Sequence, residues 1–391
     1  MPGQGTGTAA HPYGLYIGSV DVIAPAGLKG AVPLESIRTT DNGHNGPSTM
    51  EFLHEDPTKA FALPAGAEVQ FKDFRTNETI FGGYLVSREI EPFPGQQGRV
   101  VRCRCTDYSV HLDRRVLGPS WSSGSVINAQ TILESVLPYM GVPLTLSLTG
   151  TSGSVGTQIF AGIPARSIIE QILTQLSGIW GYEFIYFVSP YKVLYAHGVN
   201  QFGFAPPTNI TDVSPVLAAK ELTLEYDESG IINAVYVRGA SKTASGWVND
   251  AASQATYGVR QGVIDEPRAL TLTSAQRYGR GYLVAQKNAV LRGSFKVDGN
   301  YCYTAGKHWR AEMNVVITNS ALSLSAFSTK TFRVDTTWQG GAGAHEHLVN
   351  FGGLPRSGVA RIIRALTSAG VGIMGTAALP TSGQRIVGTI G

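Results

Sequence analysis

Charge is what this sequence has least of: Asp, Glu, Lys and Arg make up 15% of its 391 residues, against roughly 25% in ordinary soluble domains. A solitary protein keeps its distance from others with a charged exterior. A charge-poor chain with 47 glycines is therefore expected to give much of its surface to other subunits. The charges are also scattered: no block of like charges occurs and the formal net charge is +3, which argues against nucleic acid as the main partner.

Cysteine is scarce. Cys103, Cys105 and Cys302 give no disulfide framework, and Cys103 and Cys105 share a face of any strand that holds them. A zinc site would need further Cys or His ligands at suitable spacing, and Cys302 lies far off in sequence. Buried free thiols are the expectation, with no metal and no cofactor. Long hydrophobic runs are missing too. MPGQGTGTAA at the start has neither the basic nor the apolar region of a secretory signal. The apolar stretch 365–384 is broken by Gly, Ser, Thr and Pro, so it is no membrane helix. A soluble chain made in the cytoplasm is expected.

Hydrophobic residues are present in quantity, at 43%, enough for several cores, and the length suits two to four domains. From 12 to 116 the pattern is strands and turns, with AEVQFKDF, TIFGGYLVSREI and GRVVRCRCTDY at 67–74, 79–90 and 98–108. Val101, Cys103 and Cys105 alternate with Arg102 and Arg104, the period of a half-buried strand. Gly82 and Gly83 inside such a strand predict a bulge or bend.

The period then becomes helical. Ala129, Ile132, Leu133, Val136, Leu137 and Met140 form one apolar stripe, with Ser125 near its start and Gly141 past its end. A second stripe from Pro164 puts Ile168, Ile169, Ile172, Leu173, Leu176 and Ile179 toward a core. The linker TLSLTGTSGSVGTQIF is predicted to be a mobile loop or a polar edge strand, and YEFIYFV and YKVLYA a hairpin. From 214 strands resume, interrupted by a polar excursion and a helix from Ser274 to about Val290.

The predicted fold is mixed and mainly β with α+β. Residues 1–116 form a first β-barrel domain with an N-terminal arm and 117–213 an α+β middle domain. Residues 214–355 form a second β-barrel domain with an insertion at about 241–295, and 356–391 an apolar C-terminal extension. GAEVQFKDF and GKHWRAEMNVVI, each followed by a long strand, are compatible with an internal duplication.

No catalytic constellation stands out. His345 and His347 point the same way on a strand beside Glu346, but two ligands are too few and no third is identifiable. Glu55 with Asp56, Asp227 with Glu228 and Asp265 with Glu266 all read as turns, not as the separated carboxylates of a glycosidase. AGKHW matches a phosphate loop only at Gly306 and Lys307. Arg114 and Arg115 follow Asp113 and read as ion-pair partners. Val359, Ile362, Ile363 and Leu366 make the terminal segment apolar. One reading has it pack on a neighbouring protein, another has it contact a host membrane.

GGYLVSREI, then CTDYSVHLDRRV at 105–116, a helix-bearing domain, ELTLEYDESGIINAVYVRGA, SAQRYGRGYLVAQ and AGKHWRAEMNVV follow one another in an order that resembles the tail hub family of long-tailed phages. That family is related to the baseplate hubs of contractile tails and type VI secretion. The resemblance implies two tube-like barrels per chain flanking a middle domain, and a homotrimer that presents six barrels. It implies a virion tail-tip component between the tail tube or distal tail protein and a central fibre or spike, with a channel for the tape measure protein and DNA in transit, and no enzymatic role. Two rivals stand beside it. A cell-wall hydrolase needs an acid-lined cleft, and a carbohydrate-binding adhesin needs Trp180, Trp247, Trp309 and Trp338 exposed on one face.

Overall fold

The fold comes from a computed structural model that describes residues 12–352 apart from 24–31, 58, 60–62, 65, 93–97, 119, 125–127, 156–157, 200, 202, 213–219, 268, 300–301, 303–304 and 340–344. The N-terminal arm and the 356–391 extension lie outside the described residues.

Alternating burial builds the first sheet unit from β1 (Tyr13–Ile17), β2 (Val20–Asp21), β3 (Arg38–Asp41), β4 (Thr49–Asp56), β5 (Glu68–Asp73), β6 (Glu78–Pro92) and β7 (Arg99–Asp107). In β7 Val101, Cys103 and Cys105 are buried while Arg102 and Arg104 are exposed. Both cysteines are free thiols, and burial pushes Cys103 up to about 12. Gly82 and Gly83 serve close approach. A Cβ on Gly83 would lie 2.0 Å from the Thr106 carbonyl oxygen, and one on Gly82 2.5 Å from that of Pro190. The register irregularities flank them, at Ile80 against β5 and at Val86 against β7.

Asp107 closes β7, where its carboxylate accepts the backbone N–H of Ser48 at 2.6 Å and of Ser109 at 2.9 Å. Burial pushes its pKa up to about 6 even though these hydrogen bonds oppose the rise. A carboxyl raised on folding contributes stability that is present below its ordinary pKa and lost as pH rises through about 6. Urea unfolding should therefore show Asp107 contributing roughly 3 kcal/mol less at pH 7 than at acid pH. Asp107→Asn should flatten that slope; an unchanged slope would remove Asp107 as its source.

The middle region holds α1 (Val110–Arg114), β8 (Trp121–Ser122), α2 (Ala129–Tyr139), β9 (Thr145–Thr149), β10 (Ile159–Phe160), α3 (Ala165–Trp180), β11 (Phe184–Val188) and β12 (Val193–Gly198). Asn128 caps α2, its side chain accepting from the N–H groups of Gln130 and Thr131. Pro164 is the N-cap of α3, which ends at Gly181 with φ 73°. The predicted apolar faces form one core, with a correction at Ile179, which lies in the last turn of α3 and is exposed. Part of the Gly/Ser/Thr-rich linker is an edge strand, because β9 pairs with β12 alone, in parallel.

The chain then runs through β13 (Ile210–Thr211) and β14 (Lys220–Asp227). It leaves for β15 (Ala234–Arg238), β16 (Gly246–Asn249), α4 (Ala251–Tyr257), β17 (Gln261–Asp265) and α5 (Leu272–Gln286), and returns as β18 (Val290–Asp298), β19 (Asn314–Asn319), β20 (Leu324–Trp338) and β21 (His345–Gly352). The polar excursion is an α+β unit with its own sheet, ordered β16-β15-β17. Val235 and Val237, which read as part of the second β-domain, are buried in this unit's separate core with Ala275 and Leu283.

Strand order repeats. The first unit runs β1-β5-β6-β7-β4-β3 and the second β13-β19-β20-β21-β18-β14, so each of these strands has a counterpart at the same place in the ladder, while β2, paired outside β1, has none. The long strands β6 and β20 both have 15 residues. Laid end to end, they bring Val86 opposite Phe332, the skipped residues of the β6–β7 and β20–β21 ladders. One difference is that β1 runs antiparallel to β5 while β13 runs parallel to β19. Pairing of β3 with β20 fuses both units into one 13-stranded sheet whose strand path is open, so among the described residues neither half is closed into a ring by its ladder.

Candidate functional site

The seam between the two units gathers the buried polar chemistry. Its backbone is the register Arg38–Thr337 to Asp41–Val334. Thr40 donates to Asp335 across it at 2.7 Å. Trp338, at the end of β20, meets first-unit aromatics edge-on, Phe71 at 4.9 Å and Tyr13 at 6.3 Å between centroids, and stacks on His345 at 5.9 Å.

Glu312 is a second anchor. It is wholly buried, accepts from the His44 imidazole and from the His44 backbone N–H at 3.2 Å, and has the Lys330 ammonium 3.6 Å away. Burial alone would raise its pKa, but His44 and Lys330 outweigh it and hold the carboxyl low. Lys330 moves the other way: burial lowers it more than Glu312 raises it. Glu312 thus clamps the 43–45 turn of the first unit onto the second.

The third feature is a cluster of Cys302, His308, His345 and His347, all buried, with one donor atom from each within 4.8 Å of the others. Alternation on β21 puts His345 and His347 on one face and Glu346 on the other. The segment after β18 supplies Cys302 and His308. Sγ of Cys302 is 3.3 Å from Nε2 of His347, whose Nδ1 is 2.8 Å from the Thr336 hydroxyl. Nδ1 of His345 is 3.3 Å from the Tyr13 hydroxyl, and Nε2 of His308 is 2.9 Å from the Asp73 carboxylate. The backbone N–H of His308 donates to Glu78 at 2.6 Å. Burial, with His345 and His308 adding to it, holds His347 well below the usual imidazole range, and burial pushes Cys302 up to about 12. Burial would also raise Asp73, yet the hydrogen bonds from His308 and Arg75 keep it low.

The structure redistributes the other candidates. His345 and His347, set aside for want of a third ligand, are joined by two. Glu55 and Asp56 lie in β4, not in a turn, and Asp56 is buried against Arg99 at 2.8 Å. Asp265 pairs with Arg238 and Asp227 ends β14. Asp113 is held by Arg166 at 2.6 Å rather than by Arg114 or Arg115. Trp309 and Trp338 are buried in different cores, while Trp180 and Trp247 are exposed, so the four do not make one sugar-binding face. Sequence reasoning missed Glu312, His44 and Asp73 altogether. Cys302 and His308, six positions apart, lie far in sequence from the His345–His347 pair, and no local pattern links them to it.

No protein-family model matches the chain, and no curated protein sequence is similar to it. Its fold is similar to solved structures of tail proteins. The 43 kDa tail protein of prophage MuSo2 from Shewanella oneidensis matches with a TM-score of 0.62 and 11% identity, over 87% of this chain and 97% of that one. A tail protein from Neisseria meningitidis MC58 matches at 0.61 and 11%, over 87% and 96%. An E. coli component of the type VI secretion system, described as structurally similar to the T4 bacteriophage tail proteins gp27 and gp5, matches at 0.52 and 11%, over 88% and 77%. The chain therefore shares the fold of these tail proteins.

Proposed function

We propose that this chain is a structural hub of a phage tail tip, made in the host cytoplasm and built into the virion. Three copies form a ring of six sheet units. The ring seats on the tail tube or distal tail protein, holds a trimeric central fibre or spike, and leaves a channel for the tape measure and DNA. Each unit would then serve as one tube-like wall segment of the ring.

The observation that carries this reading is a matched pair of open edges. Within the chain, β3 of the first unit lies along the second half of β20. In β6, the counterpart of β20, residues 86–92 are exposed and have no strand on that edge among the described residues. β14, the counterpart of β3, ends the sheet path. Laying β14 of one copy on β6 of the next repeats between chains the contact already made within the chain. Such a head-to-tail contact is heterologous and must close into a ring or grow without limit. Exposed, unpaired edges are also what a protein avoids unless another strand covers them. The low charge content of the chain and the likeness in fold to tail proteins support the same reading, in which the chain's work is geometric and no residue acts as a catalyst.

Single-particle electron microscopy of the full chain at high concentration tests it. A threefold ring of six sheet units is expected. Val86→Lys with Ile90→Lys, at positions 51% and 60% exposed, should disperse the ring while leaving the unfolding midpoint in place. A particle of any other symmetry, or a ring indifferent to these lysines, would overturn the reading.

A further inference from the structure

We infer that Cys302, His308, His345 and His347 bind a zinc ion as a closed, structural centre. Three independent features meet there. The donor set is one thiol and three imidazoles, the side chains that zinc prefers, with no carboxylate among the four. The spacing fits: zinc–sulfur and zinc–nitrogen bonds of about 2.3 and 2.0 Å make a tetrahedral S···N edge of about 3.5 Å, and Sγ of Cys302 lies 3.3 Å from Nε2 of His347.

The third feature is the surrounding shell. Each imidazole is held by its remote nitrogen: His308 by the Asp73 carboxylate, His345 by the Tyr13 hydroxyl and His347 by the Thr336 hydroxyl. The nitrogen across each ring is then the one that faces the common centre, as in metal sites whose histidines are oriented by carboxylates and hydroxyls. Gly299 packs against the His345 ring, since a Cβ there would sit 2.1–2.3 Å from its Nε2, Cδ2 and Cε1. Four protein ligands leave no open position, which marks a structural role.

Binding would displace the Cys302 thiol proton to solvent. The ion would tie the segment after β18 to β21, all within the second unit. Its shell reaches the first unit through Tyr13 and Asp73, and Glu78 holds the backbone of His308. The zinc would therefore act as a staple of the seam on which the proposed ring contact is patterned, yet its presence is independent of whether rings form.

The test uses the full chain, expressed in zinc-supplemented medium and purified without chelator. Elemental analysis should find a single zinc per chain, and chelation should lower the unfolding midpoint. Loading the stripped protein with cobalt(II) should give the visible bands of a tetrahedral site and a thiolate charge-transfer band that Cys302→Ser abolishes. Asp73→Asn, which leaves all four ligands, should weaken metal affinity by roughly 10–100-fold. A folded chain that carries no zinc and gives no cobalt spectrum overturns the inference, and so does a charge-transfer band that survives Cys302→Ser.

Discussion

Glu312→Ala should destabilise the folded chain by about 3–5 kcal/mol, the cost of removing one partner from a buried charge pair. The carboxylate is wholly buried and faces His44 and Lys330. Its loss takes one counter-charge from the Lys330 ammonium, only 11% exposed, and releases the turn that carries His44. Two comparisons separate these effects. Glu312→Gln keeps an acceptor for the His44 backbone N–H and should cost less than Ala. Lys330→Met added to Glu312→Ala should recover part of the loss, because the stranded charge is gone. Urea unfolding of the wild type, Glu312→Ala, Lys330→Met alone and the double variant gives the cycle. Additive losses would mean that Glu312 and Lys330 do not act as a pair. A change below about 1 kcal/mol for Glu312→Ala would mean that the turn does not depend on them.

The second large effect is expected where α3 crosses α5. A Cβ on Gly178 would lie 2.0 Å from the backbone oxygen of Arg277, and one on Gly281 2.1 Å from that of Thr174. Backbone cannot swing aside as a side chain can, so the helices must separate. Overpacking of this kind costs about 1–3 kcal/mol or more, against a gain of about 1 kcal/mol from replacing Gly by Ala in a helix. Gly178→Ala and Gly281→Ala should each lower the unfolding midpoint on balance. The double variant should cost less than the sum, since one separation accommodates both methyl groups. A midpoint that rises in either single variant would show that propensity alone governs these positions and that the helices do not cross this closely. The same contact joins the middle region to the unit inserted after β14, so its loosening should also appear as faster amide exchange in α5.

Much of the local structure was legible because burial imposes a period. The alternation around Cys103 and Cys105 marks β7, and the stripes from Ala129 and from Pro164 mark α2 and α3. Where a local rule failed, the reason is a neighbour far away in sequence. Ile179 continues the apolar stripe of α3 but is exposed in its last turn, while Gly178 beside it packs on α5. Val235 and Val237 alternate as any half-buried strand does, and nothing in that pattern says which sheet they join. Gly82 and Gly83 predict a bulge or bend, and ladder irregularities do flank them at Ile80 and Val86, but the backbone of Thr106 and Pro190 that they accommodate is set by distant chain.

The sequence by itself determined the mainly β class, the helical middle region and the position of the long strands, and was compatible with their duplication. These depend on side-chain periodicity and turn residues within a few positions of one another. Only the tertiary structure decided that β3 pairs with β20, that an open edge on β6 matches one on β14, and that Cys302 and His308 meet His345 and His347. Such facts join Asp73 to His308, His44 to Glu312 and Tyr13 to His345. Contacts between residues so far apart arise from strand pairing and core packing over the whole chain, and a local pattern carries no record of which distant partner will complete it.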